Sequence, residues 1–348
     1  WKGSARLLMV RMPKSSGLET LALFFPNASN TNSKDRQAVR LRFRWLTDRR
    51  LSFLFLSPTM LLLLLIAIFP LIWSLRLSFT DWSVIANAGE DPVSVGFSNY
   101  GQTLGLGESR TEKRVGVEVA ERFAITGQFV LPAVAIELVL GFALAMLLNR
   151  NFVGRGLIMT LMLIPMMLTP VVVALFWRYM LRTDIGVINY IITDLLGGPR
   201  IDWLNQLKIA LWALVLVDVW MWTPFMMLIA LAGLSAVPKY LYEAADVDRA
   251  SAWFKFRHIT LPLVTPLLLI AVLFRAMDAY RLFDQAWVLT GGGPGSSTQV
   301  MSFYLYLVAF KDFETGLGSA IGYLMLIVII ALANLLIRRI NQLNSGEG

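Results

Sequence analysis

The chain has 348 residues, of which 57% are hydrophobic and only 16% are charged. A water-soluble domain of this length needs less apolar surface for its core, so the surplus is predicted to face lipid. The sequence contains no cysteine, which excludes disulfides and thiolate ligands, and its single histidine argues against a histidine-based metal site or a serine–histidine triad.

The net charge of +8 comes from the first 50 residues, which hold 11 basic and 3 acidic side chains. No basic stripe with interleaved aromatic residues follows, so nucleic acid is not an expected partner. Residues 1–50 are predicted to form a largely disordered cytoplasmic tail, because they are polar and because basic segments stay on the inner side of membranes.

In chain order, six runs have the length of about 20 apolar residues that crosses the hydrocarbon of a bilayer. They predict six transmembrane helices, at residues 53–79, 123–148, 157–181, 209–234, 259–283 and 317–337. Several contain proline, which membrane helices tolerate where packed neighbours satisfy the freed backbone groups. The predicted fold class is an all-α integral membrane domain over residues 51–339.

The charges that flank these runs predict their orientation. Arg49 and Arg50 precede the first span, which places the amino terminus in the cytoplasm. Six spans return the carboxyl-terminal tail, residues 340–348, to the same side. The glycine-rich connections after the first, third and fifth spans are then predicted to lie outside, as loops and short interfacial helices.

One cytoplasmic connection, residues 238–258, is too polar to cross the membrane and too patterned to be a simple linker. A helix that starts at Lys239 is predicted to carry one apolar face, formed by Leu241, Ala244, Ala245 and Val247. Its acidic residues are predicted to lie near solvent: Glu243, Asp246 and Asp248. The aromatic residues that follow suggest a second helix anchored at the membrane interface: Trp253, Phe254 and Phe256.

Within this connection, Glu243-Ala244-Ala245 precedes position 249 and then Ile259-x-Leu261-Pro262 at fixed spacings. This pattern resembles the EAA loop that marks the membrane subunits of binding-protein-dependent ABC importers. Residues 52–339 further resemble the maltose-transporter-type carbohydrate permeases, through the segments PFMMLIALAGL (224–234), FRAMDAYRLFD (274–284) and VLTGGGP (288–294). The sequence departs from the family pattern at Arg249, where the family has a glycine that can turn the chain at positive φ.

The resemblance implies a six-helix permease core whose EAA coupling helix docks into a cleft of a cytoplasmic ATPase subunit. It assigns ATPase coupling to Glu243, Ala244, Ala245, Asp248, Arg249, Ile259, Leu261 and Pro262. The chain has no G-x-x-x-x-G-K-[ST] sequence, so it is not expected to be an enzyme, and ATP and Mg are expected on the ATPase partner.

The same resemblance implies the rest of the assembly and its location. The expected partners are a second homologous permease, two ATPase subunits, an extracytoplasmic solute-binding protein, a sugar or polyol substrate and membrane lipid. The expected location is the bacterial inner membrane, with both termini in the cytoplasm. No cofactor or metal is expected on this chain.

Ionisable and aromatic side chains within the predicted spans are candidates for the substrate pathway, because polar groups in a bilayer usually face a cavity or a partner helix. These candidates are Asp218, Trp222, Asp278, Tyr280, Arg275 and Glu137. A purely structural role is the alternative, in which Asp278 pairs with Arg275 or Arg281 at helical spacing and the tryptophans lie at the membrane interface.

Two other classes of function stay open from the residues alone. In a secondary transporter driven by an ion gradient, Glu137, Asp218 and Asp278 would be the coupling carboxylates. In a membrane enzyme or a scaffold the EAA pattern would have no use, and clustered nucleophiles that would favour an enzyme are missing from the sequence.

Overall fold

A computed structural model describes residues 48–85, 91–107 and 109–344. Most of the predicted amino-terminal tail, residues 1–47, and the last four residues of the predicted carboxyl-terminal tail lie outside this range. Within the described range the backbone is helical, and β structure is limited to an isolated bridge between Thr80 and Ser94. The predicted all-α membrane fold is confirmed.

The helices are numbered in chain order. They are α1 (Asp48–Leu63), α2 (Phe69–Leu77), α3 (Ser98–Thr103), α4 (Arg110–Leu148), α5 (Arg155–Met167), α6 (Pro170–Met180), α7 (Val187–Tyr190), α8 (Leu207–Ala236), α9 (Lys239–Val247), α10 (Ala252–Lys255), α11 (Leu261–Tyr280), α12 (Asp284–Thr290), α13 (Met301–Tyr306) and α14 (Thr315–Asn344). π-helical turns follow α1, α7, α10 and α13, at Leu64–Ile68, Ile191–Leu195, Phe256–Thr260 and Leu307–Lys311.

Among the described residues, five helices are long and apolar enough to cross a membrane, or six if the bent pair α5 and α6 counts as one span. The chain is a multi-pass membrane protein on this ground. It divides into two compact units, residues 1–70 and 71–348. The boundary at residue 70 falls within α2. The first unit holds α1 and the π-helical turn after it, and the second holds α3 to α14.

The third predicted span, residues 157–181, is not one continuous helix. It is broken at Leu168 and Thr169, which are extended with ψ values of 152° and 144°, and the two halves differ in direction by 97°. Pro170 explains the break, because the ring of a proline disfavours the α conformation in the residue before it.

Helix α4 begins at Arg110 and not at the predicted residue 123. Ser109 caps its first turn together with Glu112, in a reciprocal capping box. Its 39 residues give a length of about 58 Å at 1.5 Å per residue, while the hydrocarbon of a bilayer is about 30 Å thick. The outer connection predicted over residues 80–122 is therefore helical in its second half, and α4 extends beyond the membrane.

The ends of the chain's described part also differ from the prediction. Helix α1 begins at Asp48, inside the predicted tail of residues 1–50, and α14 continues to Asn344, past the predicted end at residue 339. Arginine, leucine and glutamine are good helix formers, so a helix does not have to stop where its apolar run stops.

The core of the second unit is built on contact between α4 and α8, which α11 and α14 extend. Gly141 of α4 lies against Met226 and Met227 of α8, at a distance that leaves no room for a side chain. Such small residues allow two membrane helices to approach closely. A smaller apolar cluster at the other end of α8 includes Leu234, and Ile259 packs against it.

Candidate functional site

Helix α9 carries the EAA residues of the coupling segment, residues 238–262. Ala245 is buried, whereas Glu243 and Ala244 are exposed to solvent. Val247 was predicted to lie on one apolar face with Ala245, which is wrong, because its side chain is 83% exposed while Ala245 is buried. At 100° per residue, Val247 lies on the opposite side of the helix from Ala245. The exposed surface of α9 is therefore both charged and apolar.

The end of α9 is a Schellman motif, a turn in which the amides of two residues after the helix donate hydrogen bonds to carbonyls of its last turn. The amide of Ala250 donates to the Ala245 carbonyl at 2.9 Å, and the amide of Arg249 donates to the Asp246 carbonyl at 3.1 Å. Arg249 occupies the left-handed position of this motif with a φ of 52°. The turn is thus the one that glycine usually forms, built here with an arginine.

Arg249→Gly is expected to raise the free energy of unfolding by about 0.5–1 kcal/mol. The left-handed conformation costs a non-glycine residue about 1–2 kcal/mol, and glycine gives back part of this through the entropy of the unfolded chain. Thermal unfolding of the purified protein in detergent measures the change. Arg257→Gly is the matched control, since the same exchange inside a helix should lower stability by about 1 kcal/mol. A loss of stability in both variants would contradict the backbone strain at residue 249.

Beyond the turn, the coupling segment continues into a long helix without a break. Ser251 caps α10 through the amide of Phe254, and the helix runs through the π-helical turn and α11 over Ala252–Tyr280. Ile259 and Leu261 are half-buried within it, and Pro262, near the start of α11, is exposed. Leu261 and Pro262 are therefore part of one continuous helix.

Two side-chain contacts attach α9 to this long helix. The hydroxyl groups of Tyr242 and Thr260 lie 2.8 Å apart, within hydrogen-bond distance. Lys255 Nζ donates to Asp246 Oδ1 at 2.6 Å. Helix α9 is thus joined to the helix that carries α11 by these two contacts.

Three buried charged side chains meet between α4, α8 and α11. Arg275 Nη2 donates to Glu137 Oε1 at 3.1 Å and also to Asp218 Oδ2. Arg275 Nε faces Glu137 Oε2 at 2.9 Å, without the alignment of a hydrogen bond. The exposed fractions are 0% for Glu137, 0% for Asp218 and 2% for Arg275. We call Glu137, Asp218 and Arg275 the ion cluster.

Asp278 and Trp222 form the accessible edge of the ion cluster. Arg275 Nη1 donates to Asp278 Oδ2 at 3.2 Å, and Arg281 lies 3.9 Å from the other oxygen of the same carboxylate. The guanidinium of Arg275 lies 5.0 Å from the ring centroid of Trp222, in cation–π geometry. Asp278 is 49% exposed and Trp222 is half-buried.

The structure thus brings five of the six substrate-pathway candidates into one connected group. Glu137 and Asp218 are fully buried and both accept from Arg275, so in this arrangement neither is exposed to a solute. The sixth candidate, Tyr280, is buried, and its hydroxyl has no hydrogen-bond partner among the described residues. Both pairings of the structural alternative, Asp278 with Arg275 and with Arg281, are present.

One buried polar residue of this region was missed in the sequence. Gln285 of α12 is fully buried, and its Nε2 donates to the sulfur of Met221 at 3.3 Å. It follows the predicted end of the fifth span at residue 283, and nothing in its immediate sequence indicates burial. Only the packing of α12 on α6 and α8 places it inside the protein.

A polar cavity of about 500 Å³ lies where the connection after α6 meets the end of α12. Its charged groups are largely paired within the chain: Arg182 donates to Asp184 at 2.9 Å, which holds the pKa of that carboxyl below its usual value. Asp202 accepts from Thr183 and Asn205. These pairs order the connection and leave the cavity less suited to a charged ligand than its residue types suggest.

Comparison with known proteins decides the family. Residues 137–345, which begin at Glu137 of the ion cluster and include the whole coupling segment, match the sequence model of the family described as "Binding-protein-dependent transport system inner membrane component". The chain belongs to this family. The importer resemblance predicted from the EAA pattern is confirmed.

Similar proteins cover most of this permease. A probable ABC transporter permease protein, y4oQ, of Sinorhizobium fredii is 38% identical over 82% of the chain and 88% of its own length. The trehalose/maltose transport system permease protein MalF of Thermococcus litoralis is 35% identical over 84% of the chain and 93% of its own length.

Solved structures agree with the fold of the permease. The crystal structure of a bacterial ABC transporter involved in the import of the acidic polysaccharide alginate contains a chain that matches with a TM-score of 0.71. The match covers 88% of the permease and 99% of that chain, at 19% sequence identity. At this identity the likeness shows the fold alone.

Proposed function

We propose that this permease imports a sugar or polyol and forms one half of the translocation pathway of an ATP-driven importer. The observation that carries the proposal is one helix, Ala252–Tyr280, which is attached to the EAA helix α9 at one end and holds Arg275 and Asp278 at the other. A movement of the coupling segment therefore reaches the candidate substrate pathway through a single rigid element.

The mechanism follows from this connection. ATP-driven closure of an ATPase pair would push on the exposed surface of α9 around Glu243 and Ala244, and Lys255 and Tyr242 would pass the movement to the long helix. Arg275 would then shift relative to α4 and α8, which hold its two carboxylate partners. Packed helices switch between discrete arrangements, so such a shift opens the pathway to one side or the other.

The accessible edge of the ion cluster has the chemistry that a carbohydrate requires. The ring of Trp222 offers an apolar face to the C–H side of a sugar, and the Asp278 carboxylate accepts hydrogen bonds from hydroxyl groups. Relatives of this permease are named for trehalose and maltose transport. These names favour a neutral oligosaccharide for this chain too.

The remaining parts of the assembly follow from the family. We place the permease in the bacterial inner membrane with both termini inside, paired with a second permease, two ATPase subunits that bind ATP and Mg, and an extracytoplasmic binding protein. A structural neighbour was solved with a pentasaccharide-bound periplasmic protein, which fits an importer of this kind. An ion-gradient carrier has no use for the coupling segment.

The test is a double variant of the docking surface, Glu243→Lys with Ala244→Trp. We expect normal amounts of protein in the membrane but loss of most solute uptake, because both exposed side chains would obstruct the ATPase cleft. Uptake of labelled trehalose and maltose in cells, with membrane abundance measured in parallel, checks this. Asp312→Lys, a charge reversal of an exposed residue on the predicted outer side, is the control and should transport normally. Normal uptake by the double variant would refute the docking role.

A further inference from the structure

Arg249 keeps a strained backbone that its side chain does not help to form. Both hydrogen bonds of the Schellman motif join main-chain atoms, so any residue at position 249 could make them, and glycine could do so without strain. A residue held in a sparsely populated conformation is a reason to look for a function of its side chain.

That function does not lie within the described part of the chain. Arg249 is exposed, and no carboxylate of the described residues forms an ion pair with it. Asp246, whose backbone carbonyl accepts from the Arg249 amide, has its carboxylate already paired with Lys255 at 2.6 Å. The guanidinium of Arg249 is thus available to a group on another molecule.

The position of Arg249 indicates which molecule this is. Its two neighbours, Asp248 and Ala250, line a groove of about 430 Å³ beside α9, together with Ala245, Ser251 and Phe254. Two large apolar side chains of the same segment are exposed, 83% for Val247 and 67% for Trp253. An apolar patch with charged residues at its rim is typical of a protein–protein interface.

We propose that Arg249 forms an ion pair with a carboxylate at the rim of the ATPase cleft that receives α9. The inference rests on the docking proposed above and adds to it one contact and the charge of its partner. An arginine suits this contact because its planar guanidinium binds a carboxylate through two parallel hydrogen bonds and stays charged at any physiological pH. The pair compensates for the strain of the turn, which is why arginine can stand where glycine folds more easily.

The test measures how strongly the ATPase binds the permease. The importer complex is reconstituted in lipid nanodiscs, and the ATPase subunits that co-purify with the wild-type permease are removed and then added back at known concentrations. Arg249→Ala removes the charge and keeps the strained turn, Arg249→Lys keeps the charge, and Arg249→Glu reverses it. Arg150→Ala removes another exposed cation on the predicted cytoplasmic side and is the matched control.

We expect Arg249→Ala to weaken ATPase binding about two- to five-fold at low salt, as for other exposed ion pairs, and Arg249→Glu to weaken it further. Arg150→Ala should bind as the wild type does, and Arg249→Lys should fall between the wild type and Arg249→Ala, because lysine keeps the charge but cannot form the two parallel hydrogen bonds. The difference between wild type and Arg249→Ala should shrink as salt is raised, because ions screen an exposed pair. Equal binding by wild type, Arg249→Ala and Arg249→Glu at every salt concentration would overturn the ion pair.

The double variant Glu243→Lys with Ala244→Trp separates this outcome from failure of the proposed function. If it abolishes ATPase binding while the Arg249 variants bind normally, the docking surface is right and the ion pair is wrong. If it too binds normally, α9 is not the docking helix and both proposals fail.

Discussion

Arg275→Ala is expected to lower the free energy of unfolding by about 3–5 kcal/mol, the usual cost of breaking a buried ion pair by removing one partner. The variant leaves the carboxylates of Glu137 and Asp218 fully buried and removes the guanidinium that contacts both of them. Neither can reach water, so each must remain a buried charge or take up a proton. Thermal unfolding of the purified protein in detergent measures the loss.

Two further variants make this result specific to the ion cluster. Arg281→Ala removes an arginine six residues along the same segment whose side chain is 67% exposed, and it should change stability by less than about 1 kcal/mol. The triple variant Glu137→Gln, Asp218→Asn, Arg275→Met should recover most of the loss, because neutral side chains remove the unpaired charge. A small loss in Arg275→Ala itself, similar to that of Arg281→Ala, would show that the cluster is not held by charge.

The features that sequence predicted well are those that depend on neighbouring residues. A run of apolar residues has to lie in lipid wherever its helix packs, so α8 and α14 fall close to predicted spans. The pairing of Asp278 with Arg275 could be proposed because residues three apart lie on one side of a helix.

The features that sequence did not predict depend on contacts between distant segments. Arg275 is 138 residues from Glu137 and 57 from Asp218, and no helical periodicity relates positions so far apart. Taken alone, each carboxylate has the features of a pathway residue. Only the packing of three helices shows that both accept hydrogen bonds from one arginine. The break at Leu168 had a local signal in Pro170, but hydropathy does not distinguish a straight span from a bent one.

Gly141→Val is expected to disrupt the packing of α4 on α8 and to lower the free energy of unfolding by about 1–3 kcal/mol, as overpacking of a filled core does. A Cβ atom at residue 141 would lie 2.6 Å from the Cβ of Met226 and 2.8 Å from the backbone nitrogen of Met227, so the helices themselves must separate.

The same separation reaches the ion cluster, because Glu137 lies one helical turn before Gly141 and points to the same side. Gly141→Val should therefore reduce solute uptake more than the loss of folded protein explains. Gly127→Val is the matched control, an identical exchange on the same helix at a position with no atom within 4 Å of the added Cβ. Uptake per folded molecule, from transport and thermal unfolding measured on both variants, checks the expectation. Equal uptake by the two would mean that the distance between α4 and α8 at residue 141 does not set the geometry around Arg275.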